Sequence, residues 1–208
     1  MEKAYFFSYS LKHIGMDSTK ECFIPILGDK VQNHLITNSL LLMDLEPELQ
    51  HSVHVGKINE KLAFDLLRLD SVDRLTLHSL FQELELGGGK QKRFLTLSKD
   101  LAFRHGKTIT NLLLEEDFVN ILNHTEMNRP QKTATLLSTL QNKLFPQSSS
   151  AEEGFRKCVN KMKLPSSCSI SHSQAFERDE VTVSLCFQSL SEVEKRLAEI
   201  IKIAEKNK

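Results

Sequence analysis

The sequence predicts a mainly α-helical protein that ends in a small α+β unit. Glycine and proline occur only 8 and 5 times in 208 residues, while leucine is frequent, and this balance favours helices over sheets. Near residue 150 the pattern changes, because apolar residues then alternate along short segments as they do in strands. We therefore predict a multi-helical domain over residues 1–145 and a ββα unit over residues 151–208.

The N-terminal region predicts two helices followed by a third. Residues 2–14 form an amphipathic pattern, and Asp17-Ser18-Thr19 offers an N-cap for a short helix over residues 20–27. Pro25 disturbs the last turn of this helix, and Gly28 can supply the left-handed turn that ends it. The helix that follows has an apolar side formed by Leu35, Ile36, Leu40, Leu42, Met43 and Leu45.

Helices continue through the middle of the chain with little interruption. Pro47 and Pro130 suit first-turn positions, and the run Gly87–Gly89 separates two helices. The polar run Pro146–Ser150 predicts a linker. Further helices are expected near residues 46–55, 59–68, 71–85, 90–105, 109–123 and 129–144.

The C-terminal segment predicts a helix, a hairpin and a second helix. Residues 151–162 are expected to be helical, and Cys168–Gln174 and Val181–Phe187 are expected to be strands joined by a polar loop. Ser189 or Ser191 would cap a final helix to about Ala204. A hairpin and one helix are too small to be stable alone, so this unit must dock or pair with a second copy.

Residues 17–45 have the spacing of a helix-turn-helix, in which the second helix lies in the major groove of DNA. The exposed positions of that helix would hold polar side chains. Glutamine and asparagine can bond adenine with two hydrogen bonds, and lysine can contact phosphate or guanine. The predicted base contacts are Gln32, Asn33 and Thr37, and the predicted phosphate contacts are Lys30, His34 and Asn38.

The segment after this motif, LEPELQHSVHVGKINEKLAFDLLRL (Leu45–Leu69), resembles the one that follows the helix-turn-helix in ParB-type chromosome-partition proteins. In that family a leucine-rich turn leads to Leu-Pro-Glu, a Gly-x-hydrophobic-Ser signature and an alanine-containing helix. The matching residues here are Leu45-Glu46-Pro47-Glu48, Gly56-Lys57-Ile58-Asn59 and Ala63–Leu69. The resemblance spans Glu2 to about Arg104, and it implies a DNA-binding fold.

The resemblance also implies further sites and partners. Lys90-Gln91-Lys92-Arg93-Phe94 resembles a basic helix of some ParB-like proteins, so Lys90, Lys92 and Arg93 are predicted to grip phosphates. The family usually dimerises through its C-terminal region, which implies a homodimer. Other implied partners are double-stranded DNA, a full-length ParB-like protein and a partition ATPase.

The chain departs from the family pattern at three points. Glu60–Phe64 replaces the family's Gly-His-Ala-Arg run, and Gln32-Asn33 stands where Ser-Arg is often found. The Gly-Glu-Arg-Arg phosphate motif is absent from this sequence. We therefore expect no N-terminal nucleotide-binding domain and no CTP-driven clamping, whether the chain is a standalone protein, a fragment or a diverged descendant.

The charge distribution leaves a competing interpretation open. The formal net charge is zero, whereas a compact nucleic-acid binder usually has a basic excess. Residues 87–107 nevertheless hold 6 basic and 1 acidic side chains, and residues 128–163 hold 7 and 2, against 4 and 9 in residues 44–86. The alternative is a protein–protein interaction or regulatory module that keeps the fold without appreciable DNA binding.

Other chemistry has weak support. Gly87–Lys90 lacks the spacing of a phosphate-binding loop, His51 and His54 lack companion metal ligands, and no nucleophile–base pair can be argued. We expect no enzymatic activity, cofactor or metal. No run approaches 18 apolar residues and no signal peptide is indicated, so a cytoplasmic, nucleoid-associated bacterial protein without a membrane partner is expected.

Overall fold

The structure is a computed structural model that describes residues 1–23, 25–26, 34–173, 176, 178–187, 189 and 192–193. In these ranges the chain is mainly α-helical with a small antiparallel sheet, so the coarse fold prediction is confirmed. Its contacts define two compact units, Met1–Leu140 and Gln141–Lys208. The predicted domains 1–145 and 151–208 stay a prediction. No helix in the described ranges is long and apolar enough to cross a membrane.

Eleven α-helices and two strands are found in the described part of the chain. A 3-10 helix over Leu42–Asp44 follows α3. The helices are α1 (Glu2–Ile14), α2 (Met16–Phe23), α3 (His34–Leu41), α4 (Pro47–His54), α5 (Glu60–Leu67), α6 (Ser71–Glu83), α7 (Gly88–His105), α8 (Ile109–Leu113), α9 (Glu116–Leu122), α10 (Arg129–Leu144) and α11 (Pro146–Lys161). The strands are β1 (Cys168–His172) and β2 (Val181–Leu185).

Side-chain caps explain where several helices begin. The side chains of Asn59 and Asp70 accept hydrogen bonds from the amides of Leu62 and Asp73, at 2.9 and 2.8 Å, at the starts of α5 and α6. Thr108 caps α8 in the same way. The predicted helices near 46–55, 59–68, 71–85 and 90–105 are confirmed within two residues at each end, although α4 and α7 begin without a side-chain cap.

The predicted start of the second helix was wrong. α2 begins at Met16, directly after Gly15, and Asp17-Ser18-Thr19 lies inside it rather than before it. The Thr19 hydroxyl donates to the Gly15 carbonyl at 2.6 Å, so it binds back along the helix instead of capping it. The helix ends at Phe23 rather than at residue 27. The predicted turn at Gly28 lies outside the described residues.

Three expectations for the C-terminal half need correction. The helix predicted over 109–123 is split, because Glu115 adopts an extended backbone and starts α9. The predicted linker Pro146–Ser150 is instead the first turn of α11, where Pro146 occupies an early position. The two strands pair antiparallel with Cys168 opposite Leu185, but both are shorter than predicted. The predicted final helix lies almost entirely outside the described residues, so the ββα arrangement is not shown.

Buried polar contacts fix the helices of Met1–Leu140 in addition to its leucine-rich core. The Arg74 guanidinium binds the Glu46 carboxylate at 2.8 Å and the Leu69 carbonyl at 3.0 Å. The Asp73 carboxylate accepts from the amides of Ile109 and Thr110 at 3.0 and 2.8 Å. The Arg74 contacts join the start of α4 and the end of α5 to α6. The Asp73 contacts join α6 to α8.

Candidate nucleic-acid interface

Helix α3, the described part of the predicted recognition helix, has one apolar face and one polar face. Ile36 is only 1% exposed and packs against Phe7 of α1, with Leu40 beside them. Thr37 and Asn38 are exposed. α3 is therefore held by α1 on one side, and it presents polar side chains to solvent on another.

The structure describes only part of the predicted recognition surface. Thr37 and Asn38 are consecutive exposed residues of α3, and their contacts with DNA stay predictions. His34 is the first residue of that helix, but its side chain is outside the described part of the chain, as are Lys30, Gln32 and Asn33. The predicted contacts of those four side chains stay predictions.

A hydrogen-bond chain around Gln50 holds the turn that follows α3. Its Nε2 donates to the carbonyls of Met43 and Leu45 at 3.0 and 2.8 Å, and its Oε1 accepts from the Tyr5 hydroxyl at 2.7 Å. The Gln50 side chain therefore connects three parts of the chain, namely α1, α4 and the turn that follows α3. This role of Gln50 was not predicted from the sequence. The signal that could have indicated it is a polar residue next to Leu49 on a short amphipathic helix.

The predicted phosphate grip lies in the first two turns of α7. Lys90, Lys92 and Arg93 are all exposed, whereas Phe94 and Leu95 are buried on the opposite side. The first turn holds no acidic residue. Cations near a helix N-terminus are electrostatically unfavourable, because the helix dipole is positive there. The three cations therefore do not stabilise α7, but their charge and the positive end of the helix dipole would both attract an anion.

Gln91 links this basic helix to the segment that carries the ParB resemblance. Its side chain is 3% exposed, and its Nε2 donates to the carbonyls of Lys57 and Leu86 at 3.0 and 2.7 Å. Lys57 belongs to Gly56–Asn59, the segment that corresponds to the family signature. The basic start of α7 is thus joined directly to the Gly56–Asn59 segment.

A cavity of about 410 Å³ lies beside this link and has a polar wall. Ser52 Oγ lies 2.8 Å from His78 Nε2, and Gln82 Nε2 lies 2.7 Å from the same nitrogen. Burial lowers the pKa of His78, which favours the neutral imidazole. Ser52 is 1% exposed and lines this cavity. We interpret this cluster as a buried hydrogen-bond network of the scaffold.

The other sequence candidates occupy ordinary structural positions. Gly87 is the N-cap of α7, and Gly88 and Gly89 are its first residues. His51 and His54 are exposed on α4. Within the described ranges, no three His, Cys, Asp or Glu side chains are grouped so that they could hold a metal ion.

Comparisons with protein-family models, with curated proteins and with solved structures give no match for this chain. The resemblance to ParB-type proteins therefore depends on the residues quoted above.

Proposed function

We propose that this chain is a non-enzymatic, ParB-like DNA-binding protein that uses a helix-turn-helix. The supporting observation is the two-faced packing of α3, where Ile36 is buried against Phe7 while Thr37 and Asn38 face solvent. A recognition helix needs one face fixed to its own domain and a polar face free for the major groove. α3 meets both requirements.

The basic start of α7 gives the proposal its second support. Phosphate contacts supply most of the affinity of DNA-binding proteins and orient them on the duplex. Lys90, Lys92 and Arg93 are exposed together where the helix dipole adds to their positive charge. Gln91, between them in sequence, anchors that helix to the Lys57 segment, so the basic cluster has a fixed place in its unit.

The proposed partner is double-stranded DNA in the bacterial nucleoid, and the proposed assembly is a homodimer. Pairing would place two α3 helices on one duplex and raise affinity through effective concentration. A full-length ParB-like protein or a partition ATPase would be a further partner. The proposed biological role is chromosome partition.

A charge-matched pair of variants tests the phosphate grip. Replacing Lys90, Lys92 and Arg93 by Ala should weaken binding to all duplexes about equally and flatten the salt dependence of the affinity. The control replaces three exposed cations of α11 by Ala, namely Arg156, Lys157 and Lys161, which changes the net charge by the same amount. Fluorescence anisotropy at several salt concentrations measures both. Equal losses in the two triple variants would contradict a site on α7.

A second pair of variants tests base recognition. Replacing Gln32 and Asn33 by Ala should relax the sequence preference, because these side chains are proposed to face base edges. The preference is measured by selecting duplexes from a random pool with wild type and variant. Asn120→Ala, at an exposed position of α9, is the control and should leave the selected sequences unchanged. An unchanged preference in the Gln32/Asn33 variant would contradict the assigned reading role.

One observation favours the alternative function, a protein–protein interaction or regulatory module. Tyr5 and Tyr9 of α1 are 54% and 68% exposed, and large exposed aromatic side chains are common in interaction surfaces. One simple measurement, duplex binding at low salt, distinguishes the two functions. Absence of duplex binding at low salt would exclude the DNA-binding function and leave the interaction module.

A further inference from the structure

The unit Gln141–Lys208 contains a histidine whose two ring nitrogens both face acceptors. His172, the last residue of β1, has Nε2 2.7 Å from Glu152 Oε2 and Nδ1 2.6 Å from the Ser173 carbonyl oxygen. A neutral imidazole carries one N–H, whereas the protonated ring carries two. Only the imidazolium can therefore donate to both acceptors at once.

Aromatic rings hold the same imidazole from two directions. Phe176 stacks on it with ring centroids 3.7 Å apart and planes 10° from parallel, and Phe155 meets it edge-on at 4.8 Å. Phe155 and Glu152 lie three residues apart on α11, so they share one face of that helix. The side chain of His172 is only 18% exposed. One ring thus connects α11, β1 and the loop after β1.

In the described part of the chain, α11, β2 and the loop after β1 face this ring. From α11 the charged group that faces it is the Glu152 carboxylate, β2 places Val181 opposite His172, and the loop contributes the Ser173 carbonyl and Phe176. The Ser173 carbonyl raises the pKa of His172, partial desolvation lowers it, and the bond and charge of Glu152 raise it, with a net upward result. Protonation is therefore favoured by the folded arrangement.

We propose that His172 is a proton-dependent clasp that holds the β1–β2 hairpin against α11. With the ring protonated, both hydrogen bonds and the contacts with the two phenylalanines form together, and the hairpin is held. Loss of the proton removes one of the two donors and the attraction to Glu152, so the hairpin loosens. Since the pKa is higher in the folded state, the stabilisation is complete below about pH 6.5, the unperturbed value. It is lost as the pH rises through the folded-state pKa.

The clasp is independent of DNA binding, and it is tested on the full-length protein by NMR. The ring protons of His172 should titrate above about pH 6.5, the value of an unperturbed histidine, and the amide signals of β1 and β2 should shift with the His172 midpoint. Glu152→Gln, which keeps the shape of the side chain, should lower that midpoint. His172→Gln should abolish the pH dependence of the hairpin signals, while the control His105→Gln should leave it unchanged.

Hydrogen exchange supplies a second readout in case a variant perturbs the hairpin itself. Exchange of the β1 and β2 amides, normalised to the intrinsic rate at each pH, should accelerate in wild type as the pH rises through the His172 midpoint. In Glu152→Gln the acceleration should occur at lower pH. The clasp is overturned if His172 titrates at or below about pH 6.5, the unperturbed value, or if hairpin exchange follows the intrinsic rate across the titration.

Discussion

Removal of the Asp73 carboxylate should destabilise the helical unit more than removal of any other acidic group in α6. Asp73 is 5% exposed and accepts hydrogen bonds from the amides of Ile109 and Thr110 and from the Thr110 hydroxyl. In Asp73→Ala the hydroxyl can still bond to Thr76 Oγ1, which lies 3.1 Å away, but the two amides lose their acceptor. Each amide left without a partner costs about 1–3 kcal/mol. For the two amides together, the free energy of unfolding should fall by about 2–6 kcal/mol.

Two further aspartates set the scale for this experiment. Asp70→Ala removes a single N-cap bond and should cost about 1 kcal/mol. Asp65→Ala removes an exposed carboxylate 3.9 Å from Arg68 and should cost about 0–0.5 kcal/mol. Urea unfolding followed by far-ultraviolet circular dichroism gives all three values. An Asp73 variant within about 1 kcal/mol of the Asp65 variant would refute the reasoning that α8 depends on this carboxylate.

Three other outcomes are expected. Burial raises the pKa of Glu46, but the hydrogen bond from Arg74, a backbone hydrogen bond and the charge of Arg74 together hold that pKa below its usual range. The difference in unfolding free energy between wild type and Glu46→Gln should thus be present at pH 7 and disappear as the pH falls through the lowered pKa. A difference that stays constant in urea titrations across this pH range would contradict this expectation. CTP, ATP and GTP should leave the melting temperature unchanged. A nucleotide that binds the native state at one hundred times its dissociation constant would add about 2.7 kcal/mol to the free energy of unfolding and would clearly raise the melting temperature. Light scattering should give a dimer for the full chain and a monomer without residues 146–208, a cut that falls between α10 and α11. A monomeric full chain at high micromolar concentration would end the homodimer proposal.

Local signals in the sequence predicted much of the helical fold, but not the contacts that fix it. Asn59 and Asp70 mark helix starts by residue type alone, and the helices after them were predicted correctly. Glu115 breaks 109–123 without any glycine or proline, so no local signal marked that break. The serine run after Pro146 indicated a linker, although a proline in the first turn is equally compatible with the helix that is found.

The candidate interface was predictable only where it depends on exposed residue types. Lys90, Lys92 and Arg93 are exposed, and their contact with phosphates stays a prediction. The supporting contacts were not predictable, because they join distant positions. Gln91 binds the Lys57 carbonyl 34 residues away, and Asp73 binds the Thr110 amide 37 residues away. Pairings of this range depend on how the helices pack, and helix periodicity alone does not determine that.

The salt dependence of duplex binding tests the central proposal most directly. If Lys90, Lys92, Arg93 and Lys30 each neutralise one phosphate, log affinity should fall with log salt concentration at a slope of about −3.6, from about −0.9 per phosphate. The measurement is fluorescence anisotropy of a labelled duplex titrated with the full-length protein at several salt concentrations. We expect weak binding that strengthens as salt is lowered, with a slope near that value. No binding to any duplex at low salt would contradict it.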